Sequence, residues 1–436
     1  MNNTLARNIV RTFSTQVACQ AIAVLSGIVI ARAIGPAGKG YVSYAATAVS
    51  FVSVFFYGLS DAVLYQFGKK QYSARVVNTI AVRIFFGILA VVIPIFVVVA
   101  IWIPSQRPLA AAAAALPFAM YLQVVTPFLM VRDDILLVNL RALSQSVSTA
   151  VCTIPIILLT HLGLSAVIGV WVFFYIVAAG QSWWAMRPIL ASSAPSEVDP
   201  NDVMREQLHF GLRAAGGATA GFMNMRVSIL VVSVMFSPAA LGWYTLAIGT
   251  GELLWQVSRA FVWSALGRIG SDPFPDAAAL VARVTRNTLA IVGSLGVAAF
   301  IFGPWLIVRV YGENFAPAGD ALRWALPGLI AYAAEVALTK FVVLQLGRPM
   351  IAIWVQTGGT LLCAAGSISL AHHFGIVGAA ASTSVTYLIV TCVLVTIFIR
   401  GTGIPARRLL IVQQEDLRHY IDMVEAMLRT LRLRSA

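Results

Sequence analysis

Apolar runs of about 20 residues or more recur along the whole chain, and this pattern fixes the solvent the chain folds in before any other feature is weighed. A helix of that length crosses a bilayer core of roughly 30 Å and satisfies all of its backbone N–H and C=O groups within the segment. Spans are expected at about 9–34, 41–67, 77–103, 108–131, 135–160 and 163–186, then at about 210–236, 239–266, 284–310, 319–345, 350–372 and 375–399. The fold class is therefore an all-α polytopic membrane protein of about twelve transmembrane helices. Composition agrees, since 59% of residues are hydrophobic and 11% charged, where a soluble globular chain carries about 25% charged residues. Secretion as a soluble protein is excluded. The basic opening Met1 to Arg11 precedes an apolar stretch, as in a signal peptide. That stretch runs on to about Ile34 with no convincing small-residue cleavage site, so a retained first span is expected.

The chain uses one short loop twice. Ile34-Gly35-Pro36-Ala37-Gly38-Lys39-Gly40-Tyr41-Val42-Ser43-Tyr44-Ala45 and Phe236-Ser237-Pro238-Ala239-Ala240-Leu241-Gly242-Trp243-Tyr244-Thr245-Leu246-Ala247 share Pro-Ala, then Gly, then an aromatic, then Ala at matching positions. Proline ends the preceding helix and glycine permits a tight reversal, so each copy suits the turn of a helical hairpin. A second echo, His161-Leu162-Gly163-Leu164 and His373-Phe374-Gly375-Ile376, follows late in each half at a similar offset. Two ordered landmarks imply duplicated halves, expected as two six-helix lobes at 1–190 and 209–400 with pseudo-twofold symmetry. An even number of spans per half leaves the halves in the same orientation, related by an axis along the membrane normal. The polar stretch at 188–208, containing Ser192-Ser193-Ala194-Pro195-Ser196-Glu197 and Asp199-Pro200-Asn201-Asp202, is expected to be a cytoplasmic inter-lobe linker.

Loop charge orients the chain. With the N-terminus cytoplasmic, inside loops hold Arg7, Arg11, Lys69, Lys70, Arg75, Arg132, Arg187, Arg205, Arg268, Arg283, Arg286 and Arg348, and the tail adds Arg400, Arg407, Arg408, Arg418, Arg429, Arg432 and Arg434. Outside loops hold only Arg32, Lys39, Arg107, Arg309 and Arg323, so both termini are expected inside. Topology thus accounts for the net charge of +13 without a nucleic-acid partner. Residues 401–436 read as a basic tail. Leu410, Leu417, Ile421, Val424, Leu428 and Leu431 recur there at helical spacing, an amphipathic pattern suited to an anionic leaflet or to a partner helix. Cys19, Cys152, Cys363 and Cys392 lie in apolar stretches without a CxxC pair and are expected to be reduced packing residues.

Ionisable residues inside spans are costly and usually face a cavity or a partner, so they carry the functional signal. In the second span, Ser43, Thr47, Ser50, Tyr57 and Asp61 share a face; in the eighth, Thr245, Gly249, Glu252, Gln256 and Arg259 do so at the repeat's own offset. The first span adds Thr12, Gln16 and Gln20, and the seventh adds Arg213, Thr219 and Arg226. Such faces suit a shared cavity, although Glu252 and Arg259 bridged by Gln256 also read as a packing pair. Further polar entries are Arg83, Arg141 with Gln145 and Ser148, Glu335 and Lys340, and Gln356 with Thr360. Pro94, Pro117, Pro127, Pro155, Pro304 and Pro327 lie within spans, as membrane helices tolerate. Catalytic and metal signatures are absent from the sequence: no Walker-type loop, GxSxG or HExxH occurs, and His161, His372 and His373 sit at outer span ends. No catalytic residue, metal site or cofactor is expected.

Three stretches now support a resemblance. Ala31-Arg32-Ala33-Ile34-Gly35-Pro36-Ala37-Gly38-Lys39-Gly40-Tyr41, Ser237-Pro238-Ala239-Ala240-Leu241-Gly242-Trp243-Tyr244-Thr245-Leu246-Ala247 and Val310-Tyr311-Gly312-Glu313-Asn314-Phe315 resemble Wzx-type polysaccharide flippases. These belong to the polysaccharide transport branch of the MOP superfamily, with MATE exporters and MurJ as relatives. The resemblance implies two six-helix lobes around a central cavity that opens to alternate sides. It also implies a cargo of undecaprenyl-diphosphate-linked oligosaccharide, moved from the cytoplasmic to the periplasmic leaflet of a bacterial inner membrane for exopolysaccharide, capsule or O-antigen assembly. Other polysaccharide assembly proteins are further candidate partners. Many relatives carry Asn-Arg-x-Asp in the seventh span; this chain has Met225-Arg226-Val227-Ser228, keeping the arginine and losing the acid.

On that basis Arg226, Arg259 and Arg141 are expected to hold the diphosphate, because guanidinium forks match phosphate oxygens and stay charged when desolvated. Gln256, Tyr57, Gln16 and Gln20 would meet the sugars. Asp61, Glu252 and Glu335 are candidate ion-coupling sites or counter-charges. Rival readings are a MATE-like cation-coupled drug antiporter, disfavoured by the excess of intramembrane arginine, and a membrane glycan polymerase or ligase, disfavoured by short outer loops. A non-transporting scaffold is a further one.

Overall fold

The computed structural model describes residues 3–131, 135–159, 163–193, 198–413 and 416. Among them all regular structure is helical: α1 Asn3–Val63, a π-helical segment Leu64–Lys69, α2 Ala74–Trp102, α3 Pro108–Val131, α4 Ile135–Leu159, α5 Gly163–Ala191, α6 Pro200–Met235, α7 Pro238–Glu252, α8 Trp255–Ser271, α9 Phe274–Tyr311, α10 Ala316–Leu344, α11 Pro349–Thr402 and the short α12 Ala406–Leu410. Tail positions from Leu417 onward, with their amphipathic pattern, lie outside the described residues, as do Arg132 and His161.

Two of these helices each supply two spans. α1 bends at Gly35 (φ 68°, ψ −178°) and α11 at Gly375 (φ 61°, ψ −145°), backbone conformations that a residue with a Cβ adopts only under strain. Both bends fall on the glycines of the two sequence landmarks. α7 and α8 together make one span. With each of the other long helices as a single span, the twelve crossings of the fold class are present. The prolines within spans sit inside helices as expected.

Three limits differ from the sequence reading. α6 starts at Pro200, about ten residues before the expected seventh span, because the Asp199 side chain accepts the Asn201 N–H (2.8 Å) and Pro200 occupies a first-turn position that needs no donor. α9 likewise starts at Phe274, well before the expected residue 284. The eighth span is not one helix: Leu253 and Leu254 interrupt it, with i→i+3 bonds from Leu253 to Thr250 (3.3 Å) and from Leu254 to Gly251 (3.1 Å). The five polar residues expected on one face are thus shared between α7 (Thr245, Gly249, Glu252) and α8 (Gln256, Arg259), and none of them is buried.

The chain forms two compact units, Met1–Thr245 with Arg309–Phe315, and Leu246–Val308 with Ala316–Ala436. In the first, α1 and α6 run antiparallel and pack along their length. Tyr65 stacks on Phe210 (5.3 Å between centroids), Phe51 meets Phe222 (6.4 Å), Gln66 donates to the Val203 carbonyl (3.0 Å), and Lys70 pairs with Glu206 (2.5 Å). α3 and α4 close the other side of α1.

In the second unit, Val262, Ile269, Val281, Leu338, Phe341, Leu394 and Phe398 form an apolar core from α8 to α11. Trp255, fully buried just after the break, stacks on Tyr332 (4.1 Å) and donates to the Leu329 carbonyl (2.9 Å). The segment after α11 folds back on this core. Leu409 is fully buried, and Asp416 receives both the Nε and the second terminal nitrogen of Arg286 on α9, the latter at 2.7 Å. Arg286 also donates to the Arg408 carbonyl (3.2 Å).

Candidate functional site

In the first unit the sequence-selected residues fall into two groups. Gln16, Tyr57 and Asp61 are exposed and Gln20 is half-buried, so the first two spans present them at a surface of the unit. Ser43, Ser50, Tyr57 and Asp61 keep to one accessible side of α1, whereas Thr47 turns inward and bonds back to the Ser43 carbonyl (2.8 Å). Arg226 is half-buried on α6.

Arg141, within the second turn of α4, is the most firmly built of these residues. One terminal nitrogen donates to Ser182 Oγ on α5 (2.7 Å) and the other to Thr126 Oγ1 on α3 (2.8 Å). Both hydroxyls are themselves fixed, Ser182 to the Ala178 carbonyl (2.8 Å) and Thr126 to the Leu122 carbonyl (2.7 Å). α1 joins this corner through Ser60, which donates to the Gln123 carbonyl one turn before Thr126 (2.7 Å). Three helices thus hold one guanidinium at two nitrogens. Hydroxyls orient a charge without neutralising it, and among the described residues Arg141 forms no ion pair. A positive charge set in place but left unneutralised within the membrane is suited to receive an anion. Thr126 and Ser182 were not legible as its partners, since neither stands near Arg141 in sequence.

The second unit holds the others. Gln256 and Arg259 on α8 are exposed, and Glu252 at the end of α7 is half-buried. Glu335 on α10 is 2% exposed; one carboxyl oxygen accepts from Gln356 Nε2 on α11, and the other is buried with no hydrogen-bond partner among the described residues. Thr339, one turn further along α10, also has a buried hydroxyl without a partner among the described residues. Lys340 is exposed, so it does not share the Glu335 environment.

The model of the family described as polysaccharide biosynthesis protein matches residues 29–320, which takes in both copies of the repeated loop and the segment after α9. The chain belongs to that family. Solved structures agree on the fold of this polysaccharide biosynthesis protein. Lipid II flippase MurJ in an inward closed conformation aligns at TM-score 0.73 and 13% identity, covering 91% of this chain and 88% of that one. An inward-facing multidrug resistance MATE transporter of the MOP superfamily aligns at TM-score 0.68 and 13% identity, over 88% and 94% of the two chains. The Vibrio cholerae MATE transporter VcmN aligns at TM-score 0.61 and 13% identity, over 93% and 98%. No curated protein matches the sequence. The sequence thus shows the family and the solved structures show the fold, a multi-pass helical architecture shared with MurJ and the MATE transporters.

Proposed function

We propose that this protein carries an undecaprenyl-diphosphate-linked oligosaccharide from the cytoplasmic to the periplasmic leaflet of a bacterial inner membrane, by alternating access, and that Arg141 is a principal diphosphate contact. The carrying observation is the Arg141 guanidinium, held by two hydroxyls inside a membrane span with no ion pair among the described residues. A diphosphate would supply the missing negative charge and accept the donors Arg141 still has free. Arg226 and Arg259 are proposed as further contacts as the lipid head moves. Gln16, Gln20, Tyr57 and Gln256 are proposed to meet sugar hydroxyls, where amides and a phenol suit varied glycans. Glu335 is proposed as the ion-coupling group, because a buried carboxyl with one oxygen unoccupied can take up a proton or a small cation. Asp61 and Glu252 are proposed as counter-charges of the empty transporter.

Native mass spectrometry of the purified full chain tests the binding step, with an undecaprenyl diphosphate, an undecaprenyl monophosphate and undecaprenol as probes. Binding is expected to fall in that order. Arg141→Ala should weaken the diphosphate by roughly ten-fold or more, the worth of a hydrogen bond to a charged group, and leave undecaprenol unchanged. Equal loss for all three probes would mean that Arg141 supports the fold and not the phosphate.

A further inference from the structure

The three stretches that carry the family resemblance lie roughly 200 and roughly 70 residues apart in the chain, yet apart from Leu246 and Ala247 they belong to the first unit and meet there. The meeting is reciprocal. A methyl group on Gly40 would overlap the Pro238 carbonyl, and one on Gly242 would overlap the Pro36 carbonyl, so each copy's glycine lies against the other copy's proline. Equivalent positions of a duplicated loop thus face each other across a local twofold axis.

The third stretch straps the two together. Arg32, just before the first copy, donates from Nε to the Val310 carbonyl (2.6 Å) and from a terminal nitrogen to the Arg309 carbonyl (2.8 Å). Trp243, next to the second copy's glycine, donates from Nε1 to the Asn314 carbonyl (2.7 Å). Phe315, 1% exposed, and Gly312, at φ 100°, fix the path of the strap. Immediately inside the crossing, buried Tyr44 on α1 hydrogen-bonds to Gln106 and to Ser233 on α6.

We infer that this strapped glycine crossing is a latch that closes the face of the membrane opposite the N-terminus, and that the strap's hydrogen bonds set how often it opens. The inference rests on the transporter reading for its purpose. Its physical basis is independent of that reading. Glycine surfaces approach through backbone and can part without withdrawing a side-chain knob from a hole. The strap's bonds are made by exposed or partly exposed side chains to main-chain carbonyls, where water can replace them. At the other end of α1, by contrast, the Tyr65–Phe210 stack, buried Gln66 and the Lys70–Glu206 pair interlock with α6.

Cysteine accessibility tests this without a substrate. In the full chain with Cys19, Cys152, Cys363 and Cys392 replaced by Ser, Ser233→Cys puts a near-isosteric thiol at a buried site (6% exposed) just inside the crossing. A membrane-impermeant maleimide is then applied to the face that bears the latch. Arg32→Ala with Trp243→Phe is expected to raise the labelling rate by at least about five-fold, the usual worth of a lost hydrogen bond, with Lys70→Ala and Glu206→Ala together leaving it unchanged. Gly40→Leu should raise it further. If that variant fails to fold, the Arg32 and Trp243 pair still decides. An unchanged rate in the pair, or an equal rise in the Lys70 and Glu206 variant, would overturn the latch and leave a static scaffold. Neither result depends on whether the protein moves a lipid-linked sugar.

Discussion

Two arginines, Arg286 buried and Arg141 half-buried, show how a side chain's partners decide its role. Arg286 has found a carboxylate: Asp416, 3% exposed, takes its fork and also the Gln413 N–H (3.1 Å), while Arg283 stands 3.7 Å away. Its charge is matched, so the pair pins the segment after α11. Removing one partner of such a pair costs about 3–5 kcal/mol, because the other charge stays buried. Asp416→Ala should therefore lower the melting temperature in detergent clearly, and Arg286→Met with Asp416→Leu should restore most of it. Burial alone would raise the Asp416 carboxyl, but the Arg286 and Gln413 hydrogen bonds and the two arginine charges outweigh it and hold it below its ordinary value. A carboxyl depressed in the folded state stabilises above its unfolded value near 3.9 and loses that contribution as pH falls through the folded value. Proteolysis of the tail should thus be slow at neutral pH and rise only below about pH 4. Among the described residues Arg141 has found only hydroxyls. Arg141→Lys keeps the charge but cannot span Ser182 and Thr126, so export should drop sharply with folding intact.

At the scale of elements, helix length was legible because apolar runs report membrane thickness, and the bends were legible because Gly35 and Gly375 stand in matched landmarks. The values φ 61° and ψ −145° make Gly375 the sharper test. Gly375→Ala should destabilise by about 1–3 kcal/mol. Gly87→Ala, within α2 with nothing within 4 Å of the added methyl, should be neutral or stabilising by up to about 1 kcal/mol. Thermal unfolding of the two variants measures both. The break at Leu253 and Leu254 was not legible, because two leucines in an apolar run carry no turn signal. It arises from tertiary packing: Gly251 lies against Leu329, and Trp255 is drawn into the aromatic group with Tyr332 and Tyr387. The polar residues from Thr245 to Arg259 therefore fall on two helices, which periodicity alone did not signal. The early start of α6 was signalled by Asp199-Pro200, a cap and a first-turn proline, but the polar residues that follow masked it.

For the whole molecule, the duplication visible in sequence is expressed physically, since the repeated loops meet at Gly40 and Gly242. That the segment Arg309–Phe315 belongs with the first unit could not be read from sequence, because its partners Arg32 and Trp243 lie far away in the chain. Composition and the order of motifs carried the family; the partners of Arg141 and Glu335 needed the fold, because they come from other helices. Loop charge leads us to expect both termini in the cytoplasm, and on that expectation a cytoplasm-active reporter fused at either end is active and one fused at Gly312 silent. The most direct test of the account is reconstitution of the full chain in liposomes holding a fluorescent undecaprenyl-diphosphate oligosaccharide, with the glycan exposed on each leaflet measured over time. Protein-dependent transfer between leaflets that is lost in Arg141→Ala is the expected result; transfer no faster than in protein-free liposomes, or undiminished in that variant, would contradict it.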